Sequence, residues 1–204
     1  MPHRLTDLAK AFGHSATLDD VRQALERCAN SFGCREYTYL FTDIGLHQDR
    51  SMSEIETAAE FVTNLNTDWT KRYIDRQYFG VDPVVRACYQ SRMPIVWSAA
   101  SAWDDVDPRV MDMLMDAYEN GLRRGISVPI HGFAGSFGIF SLYSPADEDE
   151  FRVWAENTTF EIQRFAFWFH DFFAARFSHH KAHAPEDVRI RIKFNSPVVK
   201  PTLH

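Results

Sequence analysis

Residues 148–177 carry a helical pattern with one heavily aromatic stripe. Ile162, Phe165, Phe169, Phe172 and Phe173 recur at the three- and four-residue spacings that share one helix face. Phe151, Trp154 and Phe160 add to the aromatic load. Such a stripe has to be covered by a second layer, and most of the stability of a helix of this kind comes from that cover.

The remaining pattern supplies strands to do so. Glu36–Ile44 alternates Tyr37, Tyr39 and Phe41 with Thr38, Leu40 and Thr42, which predicts a strand. Gly125–Ile130 and Ser136–Tyr143 are two apolar runs joined by a Gly-rich turn, a hairpin signal. Pro94–Trp97 predicts a short strand. Helices are predicted from Thr17 to about Ser31, over Thr67–Tyr73, from Asp82 to about Gln90, and over Val110–Tyr118. Thr17 is a plausible N-cap, Asp82-Pro83 and Asp107-Pro108 are cap-plus-proline starts, and Gly33 and Gly121 are stops. His47–Ser53 is read as a polar connection. The order predicts an α+β fold: an α/β/α sandwich around a mainly antiparallel sheet of about five strands. Residues 1–178 form one domain in this reading, and residues 179–204 a basic, Pro-containing tail.

At 204 residues the chain is long enough for one ordinary core, and its formal net charge is −6. The charge is uneven. Lys181, Arg189, Arg191, Lys193 and Lys200 against Glu186 and Asp187 give the tail +3, leaving −9 on the body. An acidic body lacks the basic field that general nucleic-acid binding needs. Cys28, Cys34 and Cys88 are an odd set without metal-type pairing, and no signal core or membrane-length apolar run occurs. A reduced, cytoplasmic protein is expected.

Motifs of catalysis are missing. The run Gly132-Phe-Ala-Gly135-Ser-Phe-Gly138 lies between strands, so it reads as a hairpin turn rather than a phosphate cradle. No P-loop, GxGxxG, GxSxG or HExxH is present. His179, His180 and His183 read as solvated surface rather than a metal site, and Asp104, Asp105, Asp107 and Asp147–Glu150 as solvated helix ends. No metal, no cofactor and no enzyme activity are expected.

Singly, Trp69 and Tyr73 are core aromatics at i and i+4, Asp82 is an N-cap, Trp97 is a strand aromatic and Gly125 a loop exit. Together, Trp69-x3-Tyr73-x8-Asp82-Pro83, then Trp97, then Gly125-Ile-Ser-Val-Pro-Ile-His-Gly resemble the autoinducer-binding domain of LuxR-type quorum-sensing regulators. Ser141 falls where that family has a pocket Ser or Thr. The resemblance covers roughly residues 15 to 177.

It implies a site for an N-acyl homoserine lactone. By resemblance, Trp69 donates its indole N–H to the lactone carbonyl and Asp82 accepts the amide N–H. Trp97 packs near the ring, Tyr73 walls the pocket with a hydroxyl able to donate, and Ser141 assists near the acyl carbonyls. Leu65, Ile74, Val84, Met113, Leu114 and Leu122 are candidate walls for the tail. Many members have a donating Tyr where this chain has Leu65, so weakened or altered lactone binding is expected.

The resemblance also implies a dimer through the helix 148–177. No helix-turn-helix pattern follows Ser178. The chain is therefore expected to act as a DNA-binding-deficient antagonist, dimerising with itself or with a full-length LuxR-type regulator. The alternatives are an autonomous regulator touching DNA through its basic tail, a lactone-sequestering protein without partner, and a scaffold whose pocket is merely core.

Overall fold

A computed structural model describes residues 9–10, 12–13, 15–43, 56–99, 107–132, 136–178 and 189–193. Helix α1 (Leu18–Ser31) is followed by strands β1 (Glu36–Asp43) and β2 (Glu56–Thr63). Helix α2 (Thr67–Asp75), a 3₁₀ turn (Tyr78–Gly80) and helix α3 (Pro83–Gln90) come next. Strand β3 (Ile95–Ser98), helix α4 (Pro108–Glu119), strands β4 (Arg124–His131) and β5 (Ser136–Tyr143), and the long helix α5 (Glu148–Phe173) complete the body. A π-helical turn (Ala174–Ser178) ends α5, and strand β6 (Arg189–Lys193) follows.

The helix boundaries have local causes. Thr17 accepts from Asp20 N while the Asp20 carboxylate accepts from Thr17 N, a capping box that satisfies two orphan donors of α1. Asp82 and Asp107 cap α3 and α4, each ahead of a proline that starts the helix. Gly33 and Gly121 adopt φ of 79° and 83° just past α1 and α4, a conformation that favours glycine.

The strands form one antiparallel sheet in the order β3-β4-β5-β1-β2-β6. It therefore has six strands where about five were expected. Glu56–Thr63 gave no sequence signal, and it pairs with β1 through Thr38↔Thr63 to Thr42↔Ala59. The sixth strand comes from the segment read as a tail, whose residues 189–193 pair with β2. The His47–Ser53 connection and His179, His180 and His183 lie outside the described residues.

Side chains alternate across the sheet. Tyr37, Tyr39, Phe41, Ile126, Val128, Phe140 and Leu142 face α1 and α5, where Phe165, Phe169 and Phe173 are essentially inaccessible. This is the cover that the aromatic stripe requires, with Tyr39 edge-on to Phe169 and Phe173 at 4.8 and 5.0 Å. The opposite face presents Thr38, Leu40, Ser127, Ile139 and Ser141, and α2, α3 and α4 stand over it. The α/β/α sandwich is thus formed, and the two faces differ: one is solid, the other hollow. No helix among the described residues is long and apolar enough to cross a membrane.

Candidate ligand pocket

The hollow face encloses a cavity of about 300 Å³ between the sheet and α2–α4, within the size range of small-molecule sites. Leu65, Trp69, Tyr73, Asp82, Val84, Trp97, Met113 and Ser141 all line it, as do Ile74, Leu114 and Leu122. Residues as far apart in the chain as Leu65 and Ser141 are thus brought to one space.

Asp82 sits at the centre of the polar chemistry. Its Oδ1 caps α3, accepting from Val84 N at 2.7 Å and Val85 N at 3.4 Å. Its Oδ2 accepts from the Tyr73 hydroxyl at 2.8 Å. The expectation that Tyr73 could donate to a ligand meets a competitor here, because its one proton goes to Asp82. Among the described residues no cation pairs with Asp82. Burial raises its pKa, opposed by the hydroxyl of Tyr73 and the two amides. Burial, then the charge on Asp82, pushes the Tyr73 hydroxyl well up. Both residues keep some accessible surface, and both line the cavity.

A second polar group crosses the sheet. The Trp97 indole N–H donates to Ser127 Oγ at 3.0 Å, and Ser127 Oγ lies 2.8 Å from Ser141 Oγ. Tyr143 and Thr38 hydroxyls are 3.2 Å apart. The register explains the row: Ser127 is opposite Ser141 on β4 and β5, and Ser141 is opposite Thr38 on β5 and β1. Thr38, Ser127 and Tyr143 were missed in the sequence. Their residue types are common in strands, and only the strand register could have aligned them with Ser141.

Gly125 is a strand residue opposite Trp97, not a loop exit. A Cβ there would lie 2.5 Å from Leu142 O and 2.8 Å from Trp97 Cζ2. The missing side chain is what lets the indole lie against β4. Trp69 is buried on α2, with Tyr73 and Tyr78 rings 5.6 and 6.2 Å away. Its indole N–H makes no hydrogen bond among the described residues. No cluster of three or more His, Cys, Asp or Glu able to hold a metal occurs among them either.

Comparison with known proteins agrees with this architecture. The family model "Autoinducer binding domain" matches residues 17–173. The transcriptional activator RaiR of Rhizobium etli is 32% identical over 105 residues, 51% of this chain and 42% of that protein. This chain spans about half the length of the curated relatives it matches. Among solved structures, the N-acylhomoserine-lactone-dependent LuxR-family factor CepR2 of Burkholderia cenocepacia superposes with a TM-score of 0.62 at 22% identity, over 86% of this chain and 96% of that one. Escherichia coli SdiA in complex with octanoyl-rac-glycerol gives 0.63 at 19% identity, over 91% and 70%. The chain belongs to the autoinducer-binding domain family of LuxR-type regulators, a signal-binding rather than enzymatic family.

Proposed function

We propose that the pocket binds an N-acyl homoserine lactone, with the amide N–H of the ligand on the carboxylate of Asp82. The observation that carries this reading is a buried carboxylate served only by neutral donors. Oδ2 has one partner and room for another. A neutral amide N–H suits it, because bringing a donor costs no second buried charge. Trp69 then offers its indole N–H to the lactone carbonyl. Ser141 offers its hydroxyl to the acyl carbonyl: Ser127 accepts from Trp97 and can give its own proton to Ser141, leaving the Ser141 proton for the ligand. The apolar walls take the tail, where each buried CH₂ contributes about 0.8 kcal/mol. The lactone dependence of CepR2 and the octanoyl group held by SdiA support an acylated ligand.

The test is thermal. Lactone at a hundred times its Kd stabilises the native state by about 2.7 kcal/mol, which raises the melting temperature by about 5–10 °C in a chain of this size. The rise grades with tail length and falls to half or less in Asp82→Asn. No response to any lactone across a panel of tails would remove this ligand class.

A regulatory role is proposed on a separate observation. Val153, Phe160 and Phe167 are 52%, 64% and 41% exposed on α5 at seven-residue spacing. That outer stripe suits pairing with a second LuxR-type chain. Pairing of this domain with a full-length LuxR-type regulator through that stripe would change the regulator's operator binding. A gel shift of such a regulator that this chain leaves unchanged, with or without lactone, would leave only sequestration of the lactone.

A further inference from the structure

Outside the pocket, α2 and α4 are tied together by one carboxylate. Asp116 of α4 accepts from Arg72 Nη1 at 2.9 Å, from Arg76 Nη1 at 3.1 Å and from the Tyr78 hydroxyl at 2.6 Å. Arg76 Nη1 also donates to the Tyr78 hydroxyl at 2.8 Å. The Asp116 side chain is 14% exposed while Arg72 and Arg76 are 42% and 55% exposed, so the part-buried bond to the Tyr78 hydroxyl is the least solvent-screened of the ties. A fourth tie runs the same way: Arg109 of α4 donates to Arg76 O at 3.4 Å.

What the cluster joins gives it meaning. The Tyr78 ring is buried and packs on Trp69 and Tyr73 at 6.2 and 6.0 Å. On its inner side α4 supplies Met113, Leu114 and Ala117 to the pocket wall. Neither helix belongs to the sheet ladder, so nothing in the strand register fixes their separation. Apolar contact across the cavity and the Asp116 cluster are what hold them.

We propose that Asp116 is a positioning residue for ligand retention: it latches the α4 wall to the Trp69–Tyr73–Tyr78 aromatic wall and so sets the lifetime of the bound state. The latch touches no ligand. It acts through Tyr78, whose ring abuts both pocket aromatics and whose hydroxyl is bound outside. This inference rests on the pocket's being the lactone site. Opening the walls for release requires breaking the cluster, while the polar contacts that recognise the head group stay as they are. Its removal therefore shows in the dissociation rate.

The experiment uses the full chain loaded with tritiated N-octanoyl homoserine lactone, with release followed after dilution. Asp116→Asn and Tyr78→Phe are each expected to release the lactone about tenfold faster, with the association rate within about twofold of wild type. Tyr78→Phe keeps the ring packing and loses only the hydroxyl, so it carries the test if Asp116→Asn does not accumulate as soluble protein. The double variant is expected to be no faster than the faster single one, because both remove one latch. Asp116→Glu restores slow release, which a merely structural loss would not do. Wild-type release rates in both single variants, with lactone bound normally, overturn the latch. Fast release in Asp116→Asn alone, without Tyr78→Phe, overturns its action through Tyr78. A wild-type chain that binds no lactone overturns the ligand reading and retention with it, an outcome visible before any variant is made.

Discussion

Replacing Asp82 separates its two duties. The carboxylate caps α3 through Oδ1 and accepts from Tyr73 through Oδ2. Asp82→Ala removes both. Loss of an N-cap costs about 0.5–2 kcal/mol, and a buried hydroxyl left without its acceptor costs about 1–3 kcal/mol. The ligand-free chain therefore loses about 1.5–5 kcal/mol, or roughly 3–20 °C in melting temperature for this length. Asp82→Asn is different. Asparagine caps as well as aspartate, and its amide can face the Tyr73 hydroxyl as donor. Its stability cost is expected at about 1 kcal/mol or less. Both variants lose the charged acceptor for the ligand amide, about 1.5–3 kcal/mol, so both bind lactone about 10- to 150-fold more weakly. The assay is melting in the absence of lactone, followed by titration with the best lactone of the panel. An Asp82→Asn chain that binds lactone as tightly as wild type would refute the role of the carboxylate. One that unfolds as readily as Asp82→Ala would refute the separation of cap from acceptor.

Leu65→Tyr places a donor on the pocket wall. It is expected to tighten lactone binding by about 0.5–1.5 kcal/mol, read as a lower Kd by titration; unchanged or weaker affinity would sink the idea. Gly125→Ala forces a methyl between Leu142 O and the Trp97 ring. It is expected to cost about 1–3 kcal/mol and to shift Trp fluorescence, and native stability with unaltered emission would contradict the close approach. Ser127→Ala strands the Trp97 N–H and is expected to cost about 1–3 kcal/mol by chemical denaturation. The pH response has two opposite signs. Burial raises the Asp82 pKa in the folded chain. Its contribution to folding stability is fullest below the unfolded aspartate value and is lost as pH rises through the folded one. Lactone affinity moves the other way, falling as acid protonates the acceptor. Tyr73, Tyr143 and Cys88 face Asp82, and burial pushes all three up, so they stay neutral in this window. Affinity that is flat with pH down to the ordinary aspartate range, while Asp82→Asn binds weakly, would refute this.

The legible parts of the fold were those with local causes. Capping at Thr17, Asp82 and Asp107, the left-handed glycines, and the alternation of β1 are all written within a few residues of where they act. Strand β2 was not legible. Its sequence, Glu-Thr-Ala-Ala-Glu-Phe-Val-Thr, divides evenly between β-favouring residues and the Ala and Glu that strands disfavour, without clean apolar alternation, and it is paired with β1 and β6. Residues 188–194 alternate Val, Ile and Phe with Arg and Lys, but the place of 189–193 beside β2 depends on that missed strand. The site divides the same way. Trp69, Tyr73 and Asp82 stood out as candidates because, with Trp97 and Gly125, their spacing resembles that of the autoinducer-binding family. Thr38, Ser127 and Tyr143 are ordinary strand residues until Ser141 is aligned with them across three strands.

The same division explains why the site can be both built and responsive. On the sheet, the row from Trp97 to Ser141 is fixed by ladder register and by the close approach at Gly125, so its geometry is set before any ligand arrives. On the helical layer, Trp69 and Tyr73 belong to α2, Asp82 to the start of α3 and Met113 to α4; a backbone-bonded turn through Tyr78 links α2 to α3, and α4 is joined to them by its side chains. Tyr73 bonded to Asp82 holds α2 to α3, and Asp116 bonded to Tyr78 holds α4 to the turn between them. A ligand placed between these layers adds contacts to both, and it adds most to the layer that has the fewest of its own. Ligand-dependent stability should therefore concentrate in α2, α3 and α4 rather than in the sheet or α5. Hydrogen exchange would show this as protection gained in those three helices on lactone binding, with β4, β5 and α5 unchanged. Protection rising uniformly through the sheet and α5 would mean instead that the ligand stabilises the whole fold as one unit, and that the helical layer is no looser than the rest.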